Sequence, residues 1–331
     1  MDIGFKEILI SIVILIVIVF YGLKAKYMVS EKVATQNLET FLAANYGELL
    51  EYSDLKRFFN SGNMNPNCFS VRVYQKKEPR VELFITFDAK TIATQTDIAS
   101  DYPDGLSFHE RYLQRIAVVE IHDVISAKMK PLGVDLVWDY NEVFFNLEAK
   151  YSEAEVLEKS DYFLSLFKVE DSELLGYYHE LSLILNITSK NNISLVRELV
   201  QEDGIWSFKT IKLYTKAADF ERIRNDIKKE LTTYLDANYP TQKLYDYYDT
   251  YVAPNDFSKL LYIEFTEAEK TKQEKEKQQK GVWVSPVTGY TVMYWNLEKG
   301  NIKQIGFVAT DNTIIMEDVL EKEIAVFLER A

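Results

Sequence analysis

The sequence predicts an α+β fold behind a single N-terminal membrane-spanning helix. Three observations support this prediction: an uncharged apolar run near the amino terminus, stretches of three-to-four periodicity that give way to period-two alternation, and scarce Gly and Pro. Twelve Gly and seven Pro in 331 residues are few, because average usage is about 7% and 5%. Scarce chain breakers favour regular elements joined by polar turns.

The apolar run at 8–23, ILISIVILIVIVFYGL, contains no charged residue. It has no polar face, so it does not suit the surface of a soluble domain. At 1.5 Å per residue it covers about 24 Å, and flanking lysines such as Lys6 and Lys24 can extend to the interfaces of a ~30 Å hydrocarbon core. The following GLKAKYMV is a poor signal-peptidase site. We therefore expect an uncleaved single span, with the lipid bilayer as a partner.

The orientation of this span stays open. More lysines follow the run than precede it, which favours a cytoplasmic body. Long domains can nevertheless cross a membrane regardless of modest flanking charge, so the sequence does not decide the side on which the body lies.

Composition excludes several classes of function. The formal net charge is −13, whereas a nucleic-acid partner requires a basic face for its phosphates, so we expect no such partner. Cys68 is the only cysteine, which excludes an intramolecular disulfide and a cysteine-based structural zinc site. No nucleotide-binding, calcium-binding or nucleophile-elbow motif occurs in the sequence, and we expect neither a cofactor nor a metal.

Changes in pattern predict four segments. We expect a transmembrane anchor at 1–27, a helix plus β-hairpin module at 28–105, a central α+β module at 106–216, and a helix plus β-meander module with a C-terminal helix at 217–331. The strands CFSVRVYQ and RVELFITFD predict the first hairpin. In the central module, SEAEVLEKSDYFLSLF predicts a helix whose Ser152 and Glu155 form a capping box, and NISLVRELVQ is interpreted as a short helix.

Two nine-residue stretches are similar. LETFLAANY at 38–46 and LTTYLDANY at 231–239 are identical at six positions, and another tyrosine follows each of them six residues later. Both end a predicted helix, and both lead toward a strand beginning with Phe-Ser. We expect that one helix-plus-antiparallel-sheet unit is used twice, with Phe41 and Leu42 in the first copy, like Tyr234 and Leu235 in the second, pressing the helix onto its sheet. Chance similarity between helix-forming segments is the alternative.

The order of elements resembles that of a known class of small modules. A single span followed by helix-then-meander units, with Tyr-Gly just after the first helix, is similar to the cystatin-like and PepSY-like modules of bacterial envelope proteins. The resemblance is one of architecture and covers about the first and last thirds of the chain. It carries no functional residue across, because a shared fold does not imply a shared site.

The three histidines are candidates for catalysis or metal binding. His109, His122 and His179 are each followed by an acidic residue. His109 and His122 lie on one predicted helix but about 220° apart around its axis, so they do not share a face. The segment HELSL lacks the second histidine of a zinc-hydrolase helix. We interpret all three as surface or boundary residues.

The densest aromatic stretch is YPTQKLYDYYDTY, at 239–251. Tyrosine gives rigid amphipathic contact area at low entropic cost. We therefore select Tyr245, Tyr247, Tyr248 and Tyr251 as candidate binding residues for a protein or glycan partner. The competing interpretation is that these rings only cover the edge of a sheet.

These observations predict a single-pass membrane-anchored protein with a non-catalytic binding or interaction role. The alternative is a membrane-anchored hydrolase with an acid- or histidine-based site, in which one of the histidines would meet carboxylates in a concave pocket. A structural component that oligomerises through its long helices is a third interpretation.

Overall fold

The computed structural model describes residues 28–58, 64–99, 105–139, 141–147, 151–170, 181–187, 194–202, 205–268, 279–280, 287–310 and 316–330. Over these residues the chain is α+β, with three sheets and five α-helices, which confirms the predicted class. The predicted span at 8–23 lies outside them. No helix within the described ranges is both long enough and apolar enough to cross a membrane.

The chain divides into two compact units, at 1–122 and 123–331. The three sheets fall one each into the ranges 28–105, 106–216 and 217–331. The module boundaries drawn from the sequence remain a prediction.

The first unit packs a helix on one face of a three-stranded antiparallel sheet with the order β1-β2-β3. The predicted hairpin of β2 and β3 is confirmed, and β1 is an additional strand. The elements are α1 (Glu31–Tyr46), β1 (Leu50–Arg57), β2 (Cys68–Gln75), β3 (Glu78–Asp88) and the beginning of α2 (Phe108–Met129).

The core of the first unit lies between α1 and this sheet. Residues of α1 at helical spacing, among them Leu38 and Phe41, are fully buried against alternating residues of the strands such as Val71. Each fully buried Leu, Val or Phe side chain contributes about 1.5–3 kcal/mol. Ser30 accepts a hydrogen bond from the Val33 N–H and so caps the start of α1.

The second unit begins with a five-stranded sheet of order β4-β5-β6-β7-β8. Strands β5 and β6 are parallel and the other pairs are antiparallel, because a helix between β5 and β6 returns the chain to the same end of the sheet. This sheet is therefore mixed rather than purely antiparallel. Its elements are β4 (Val134–Asp139), β5 (Glu142–Leu147), α3 (Glu153–Glu170), β6 (Ser182–Ile187), β7 (Ser194–Glu202) and β8 (Ile205–Leu213).

Of the two local predictions made for this part of the chain, one is confirmed and the other is wrong. The capping box is confirmed: the Ser152 N–H donates to Glu155 Oε2 at 2.8 Å, and the Glu155 N–H donates to Ser152 Oγ at 3.4 Å. The short helix predicted over NISLVRELVQ is wrong, since Ser194–Glu202 is strand β7. Pairing with β6 on one side and β8 on the other outweighs the helical spacing of its apolar residues.

A four-stranded antiparallel sheet of order β12-β11-β10-β9 completes the second unit. The predicted meander is confirmed, and the tyrosine-rich stretch forms its first strand. One face of β10 lies under α4 and the other under α5. The elements are α4 (Phe220–Asn238), β9 (Gln242–Val252), β10 (Lys259–Ala268), β11 (Val287–Asn296), β12 (Asn301–Ala309) and α5 (Met316–Arg330).

The two similar stretches make equivalent contacts at the ends of α1 and α4. In each, an asparagine amide donates to the carbonyl four residues earlier at 2.9 Å, and a threonine hydroxyl does the same at 2.8 Å. The pairs are Asn45 with Phe41, Asn238 with Tyr234, Thr40 with Gln36 and Thr233 with Lys229. They differ in depth, since Phe41 is fully buried and Tyr234 is half-buried. Each contact lies within one helical turn and follows from the shared Thr and Asn residues, so the double use of one unit stays a prediction.

Replacing Phe41 by Ala should destabilise the first unit by about 3–5 kcal/mol, because it removes a fully buried ring. Tyr234→Ala should cost clearly less in the second unit, because its ring is half-buried. All four tryptophans lie beyond residue 122, so hydrogen exchange of peptides from β1–β3 and β9–β12 is the suitable measurement. Equal loss of protection in the two variants would contradict the difference in depth.

Candidate functional site

Strand β9 places the four candidate tyrosines at different depths. Tyr245 and Tyr247 are 37% and 47% exposed. Tyr248 is half-buried. Tyr251 is only 6% exposed and packs edge-to-face on Phe327 of α5, with ring centroids 6.0 Å apart. The fold thus leaves Tyr245 and Tyr247 at the surface and makes Tyr251 a core residue.

The two exposed tyrosines flank an irregularity in an edge strand. Leu244 pairs with Thr266 and Tyr248 with Glu264, so residues 245–247 lie opposite a single residue of β10. Asp246, in the middle, has a φ of 49°, a left-handed conformation that residues other than Gly rarely adopt. Bulges of this kind twist an edge strand and re-aim its side chains.

Two cations of α4 hold Asp246 in this conformation. Lys228 Nζ donates to Asp246 Oδ1 at 2.7 Å, and Arg224 Nη2 donates to the same oxygen. Both cations lie on one face of the helix because they are four residues apart. The hydrogen bond and charge of Lys228, followed by the charge of Arg224, lower the pKa of Asp246. The Asp246 carboxylate therefore stays ionised to a lower pH than an isolated surface aspartate.

Beneath this contact, β10 buries a second carboxylate. Glu264 is fully buried, and the Tyr262 hydroxyl donates to its Oε2 at 3.0 Å. Lys228 Nζ lies 3.3 Å from Oε1, although no described donor is aligned with Oε1 for a hydrogen bond. Burial raises the pKa of Glu264, and the charge of Lys228 opposes this effect. Lys228 therefore bridges one buried and one exposed carboxylate.

Aromatic contacts close these interactions into a ring. The Tyr248 ring stacks on Tyr262 with centroids 5.6 Å apart and planes within 5°. The Arg224 guanidinium lies 4.5 Å from the centroid of Tyr248, a cation–π contact. We call these six side chains the ionic ring: Arg224, Lys228, Asp246, Tyr248, Tyr262 and Glu264. The ionic ring fastens α4 to the irregular part of β9, beside the exposed tyrosines.

Most of the ionic ring was missed by sequence reasoning, which selected only Tyr248. One signal could have found Glu264. The segment LLYIEF in β10 is apolar at both alternating sets of positions, which is typical of a strand buried on both faces. A carboxylate within such a strand must be paired and hydrogen-bonded. Its partners could not have been chosen, because Lys228 lies 36 residues earlier on another element.

The interpretation of the histidines as surface or boundary residues is confirmed for exposed His109 and is wrong for His122, which is buried on α2. His109 Nδ1 lies 3.4 Å from the Tyr46 hydroxyl. His179 lies outside the described residues. Cys68 is buried at the start of β2. Within the described part of the chain, no three His, Cys, Asp or Glu side chains are grouped so as to hold a metal ion.

Comparison with known proteins adds no family to this description. No protein-family model matches the chain, and no curated protein sequence matches it.

Replacing Glu264 by Gln should change the pH dependence of stability in the second unit. The pKa of Glu264 is raised in the folded state, so stability associated with its protonated form is lost as the pH rises through that value. Gln has no such loss, so the stability of Glu264→Gln relative to wild type should grow as the pH is raised from about 4 to about 8. Urea unfolding followed by tryptophan fluorescence measures this, and a pH-independent difference would count against it.

Removing the bridging cation should change the pH dependence of stability in the opposite direction, so that the variant loses stability relative to wild type as the pH is raised. Lys228→Met leaves a buried carboxylate without its close cation, which costs about 3–5 kcal/mol at neutral pH and less as Glu264 becomes protonated. The double variant Lys228→Met with Glu264→Gln should recover most of this loss. Lys229→Met, at the exposed neighbouring position on α4, is the matched control and should change stability by less than about 0.5 kcal/mol.

Proposed function

We propose that this chain is a single-pass membrane-anchored protein that binds a protein or glycan partner through Tyr245 and Tyr247, without catalysing a reaction on it. The observation that carries the proposal is the exposure of these two rings on either side of a fixed bulge. Tyr248 and Tyr251 support the surface from beneath instead of contacting the partner.

The ionic ring makes this surface suitable for binding. A binding surface loses affinity when side chains and loops must be ordered on association. Here Asp246, between the two tyrosines, already makes contacts with two cations of α4. The Tyr247 ring also lies 5.6 Å from the ring of buried Phe265, so one edge of this aromatic surface rests on the core. The backbone between the two tyrosines and the Tyr247 ring are therefore ordered before a partner binds, which lowers the entropic cost of association.

The apolar run at 8–23 supports the proposed anchor. Its length and lack of charge suit a bilayer-spanning helix, and few residues separate it from the folded body. Val29 already belongs to that body, since its N–H donates to Asn67 Oδ1 at 2.7 Å and its carbonyl accepts from Arg57 Nη2 at 2.6 Å. A partner bound by the tyrosines would thus be held at a membrane.

Replacing Tyr245 and Tyr247 together by Ser should abolish most partner capture at a small cost in stability, within about 0.5 kcal/mol at Tyr245 and about 0.5–1.5 kcal/mol at Tyr247, whose ring contacts Phe265. The reason is that both rings are exposed and truncation removes contact area without opening a cavity. The measurement is chemical crosslinking of the full-length protein in its native membrane, with mass spectrometry comparing the species captured by wild type and variant.

Tyr162→Ser is the matched control, since this tyrosine is 42% exposed on α3, away from β9. It should capture the same species as wild type. Undiminished capture by the double variant would refute the role assigned to Tyr245 and Tyr247. Tyr251→Ser should instead lower thermal stability, by about 3–5 kcal/mol if the site does not collapse, because its ring belongs to the core.

A further inference from the structure

We infer that one end of the first unit lies against the lipid headgroup surface, with Met64, Phe58 and Val33 as its apolar contacts. We call it the juxtamembrane end. This inference rests on the anchor proposed above and adds where, and with which side chains, the body meets the bilayer.

The topology brings several chain ends together there. Arg57 closes β1 opposite Phe69, and Cys68 opens β2 opposite Asp88, the last residue of β3. The start of α1 joins them through the contacts of Val29 with Asn67 and Arg57. The polypeptide that follows the proposed span therefore enters the first unit at this end.

The connecting segment is too short to carry the unit far from the bilayer. Six peptide steps separate residue 23 from Val29, which corresponds to at most about 20 Å of extended chain. The headgroup layer itself takes up roughly 5–7 Å of that distance. Helix α1 has 16 residues and is about 24 Å long, so its far end can lie well beyond the reach of the bilayer surface.

The side chains at this end suit a membrane interface. Met64 is 73% exposed and Val33 is 41% exposed, and Phe58, directly after β1, is half-buried. Single exposed apolar residues are normal on protein surfaces, but these three accompany the exposed Lys32 and Lys90. Apolar tips beside lysines fit the boundary between acyl chains and anionic headgroups.

Two acidic residues at this end, Asp88 and Glu31, balance the charges of Lys32 and Lys90. Asp88 is half-buried and accepts hydrogen bonds from Asn65 Nδ2 at 2.7 Å and from the Lys90 N–H at 2.8 Å. Glu31 is exposed in the first turn of α1. In the sequence, Lys24 and Lys26 add two further cations between the proposed span and Val29. The charge near the point of entry is thus positive on a chain that is acidic overall.

The anchor favours lipid over a soluble protein as the partner of this end. Because the anchor holds the juxtamembrane end near lipid, even weak contacts are made at a high effective concentration. We therefore assign the lipid headgroup surface as the binding partner of this end. If the partner were instead a soluble protein or a second copy of the chain, the juxtamembrane end would remain exposed to water in vesicles that contain few copies of the chain and no other protein.

The test uses the full-length protein reconstituted into vesicles of phosphatidylcholine and phosphatidylserine. Met64→Cys carries an environment-sensitive fluorophore, and the matched control is Leu49→Cys, 51% exposed at the other end of α1. Wild-type protein, whose Cys68 is buried, gives the labelling background. Spin-labelled lipids should quench most of the emission at position 64 and leave position 49 unchanged.

Absence of quenching at position 64, in protein that an alkaline wash leaves in the vesicles, would overturn the juxtamembrane assignment while preserving the anchor. Equal quenching at positions 49 and 64 would overturn it as well. Release of the protein by the wash would instead overturn the anchor itself. Lys32→Gln with Lys90→Gln should reduce quenching to the level seen without phosphatidylserine, and unchanged quenching would refute the role of the lysines.

Discussion

Burial of β10 on both faces is the constraint on which the second half of the chain depends. Over residues 260–266 both faces of the strand are buried, so polar side chains there depend on partners inside the protein. On the α4 face Tyr262 donates to Glu264, and on the α5 face Tyr290 of β11 donates to buried Glu323 at 2.8 Å. Each face thus has a tyrosine–carboxylate pair under its helix. The α4 face adds two cations, which reach the surface through Asp246, whereas on the α5 face Lys322 Nζ lies 3.8 Å from Glu323 Oε1.

The sheet of the first unit is buried on one face only, and its composition differs accordingly. Its residues under α1, such as Phe69, Val71 and Val73, are apolar. The opposite face carries exposed charge, including the pair of Arg72 and Glu82, whose atoms are 3.5 Å apart. With one wet face, the sheet needs no buried carboxylate network. The first and last sheets of the chain therefore share the order of a helix followed by antiparallel strands, and differ in strand number, in having one or two covered faces, and in the chemistry beneath the first helix.

The strand irregularities show the same divergence. Asp54 in β1 and Asp246 in β9 are the two residues other than Gly with positive φ among those that the structure describes. The shift in β1 lies opposite Val71, which faces α1, whereas the shift in β9 lies opposite Phe265, which faces α5. The bulges are thus out of phase with their helices. The shared Phe-Ser is not equivalent either, because Phe69 lies inside β2 and Phe257 precedes β10.

Sequence patterns predicted the elements whose signals are local. Alternation in CFSVRVYQ and the Ser152–Glu155 spacing report a half-buried strand and a helix start without reference to the rest of the chain. Strands β1, β7 and β9 were not predicted, because pairing with neighbouring strands, rather than their own residue pattern, determines their conformation. The burial of Tyr251 could not be predicted for a related reason: its ring packs on Phe327 of α5, which is 76 residues away in the sequence.

Departures from local rules are expected where a protein accepts strain for a purpose. Around β9 three such departures meet: a fully buried glutamate, an aspartate in the left-handed region, and two large rings exposed beside it. Asp54 has the same backbone conformation, but Leu55 after it is half-buried and Ser53 before it is small and polar. A bulge alone therefore does not create an aromatic surface. Beside β9, the buried carboxylate of Glu264 in β10 is paired with Lys228. Lys228 in turn binds the exposed Asp246, which lies between Tyr245 and Tyr247.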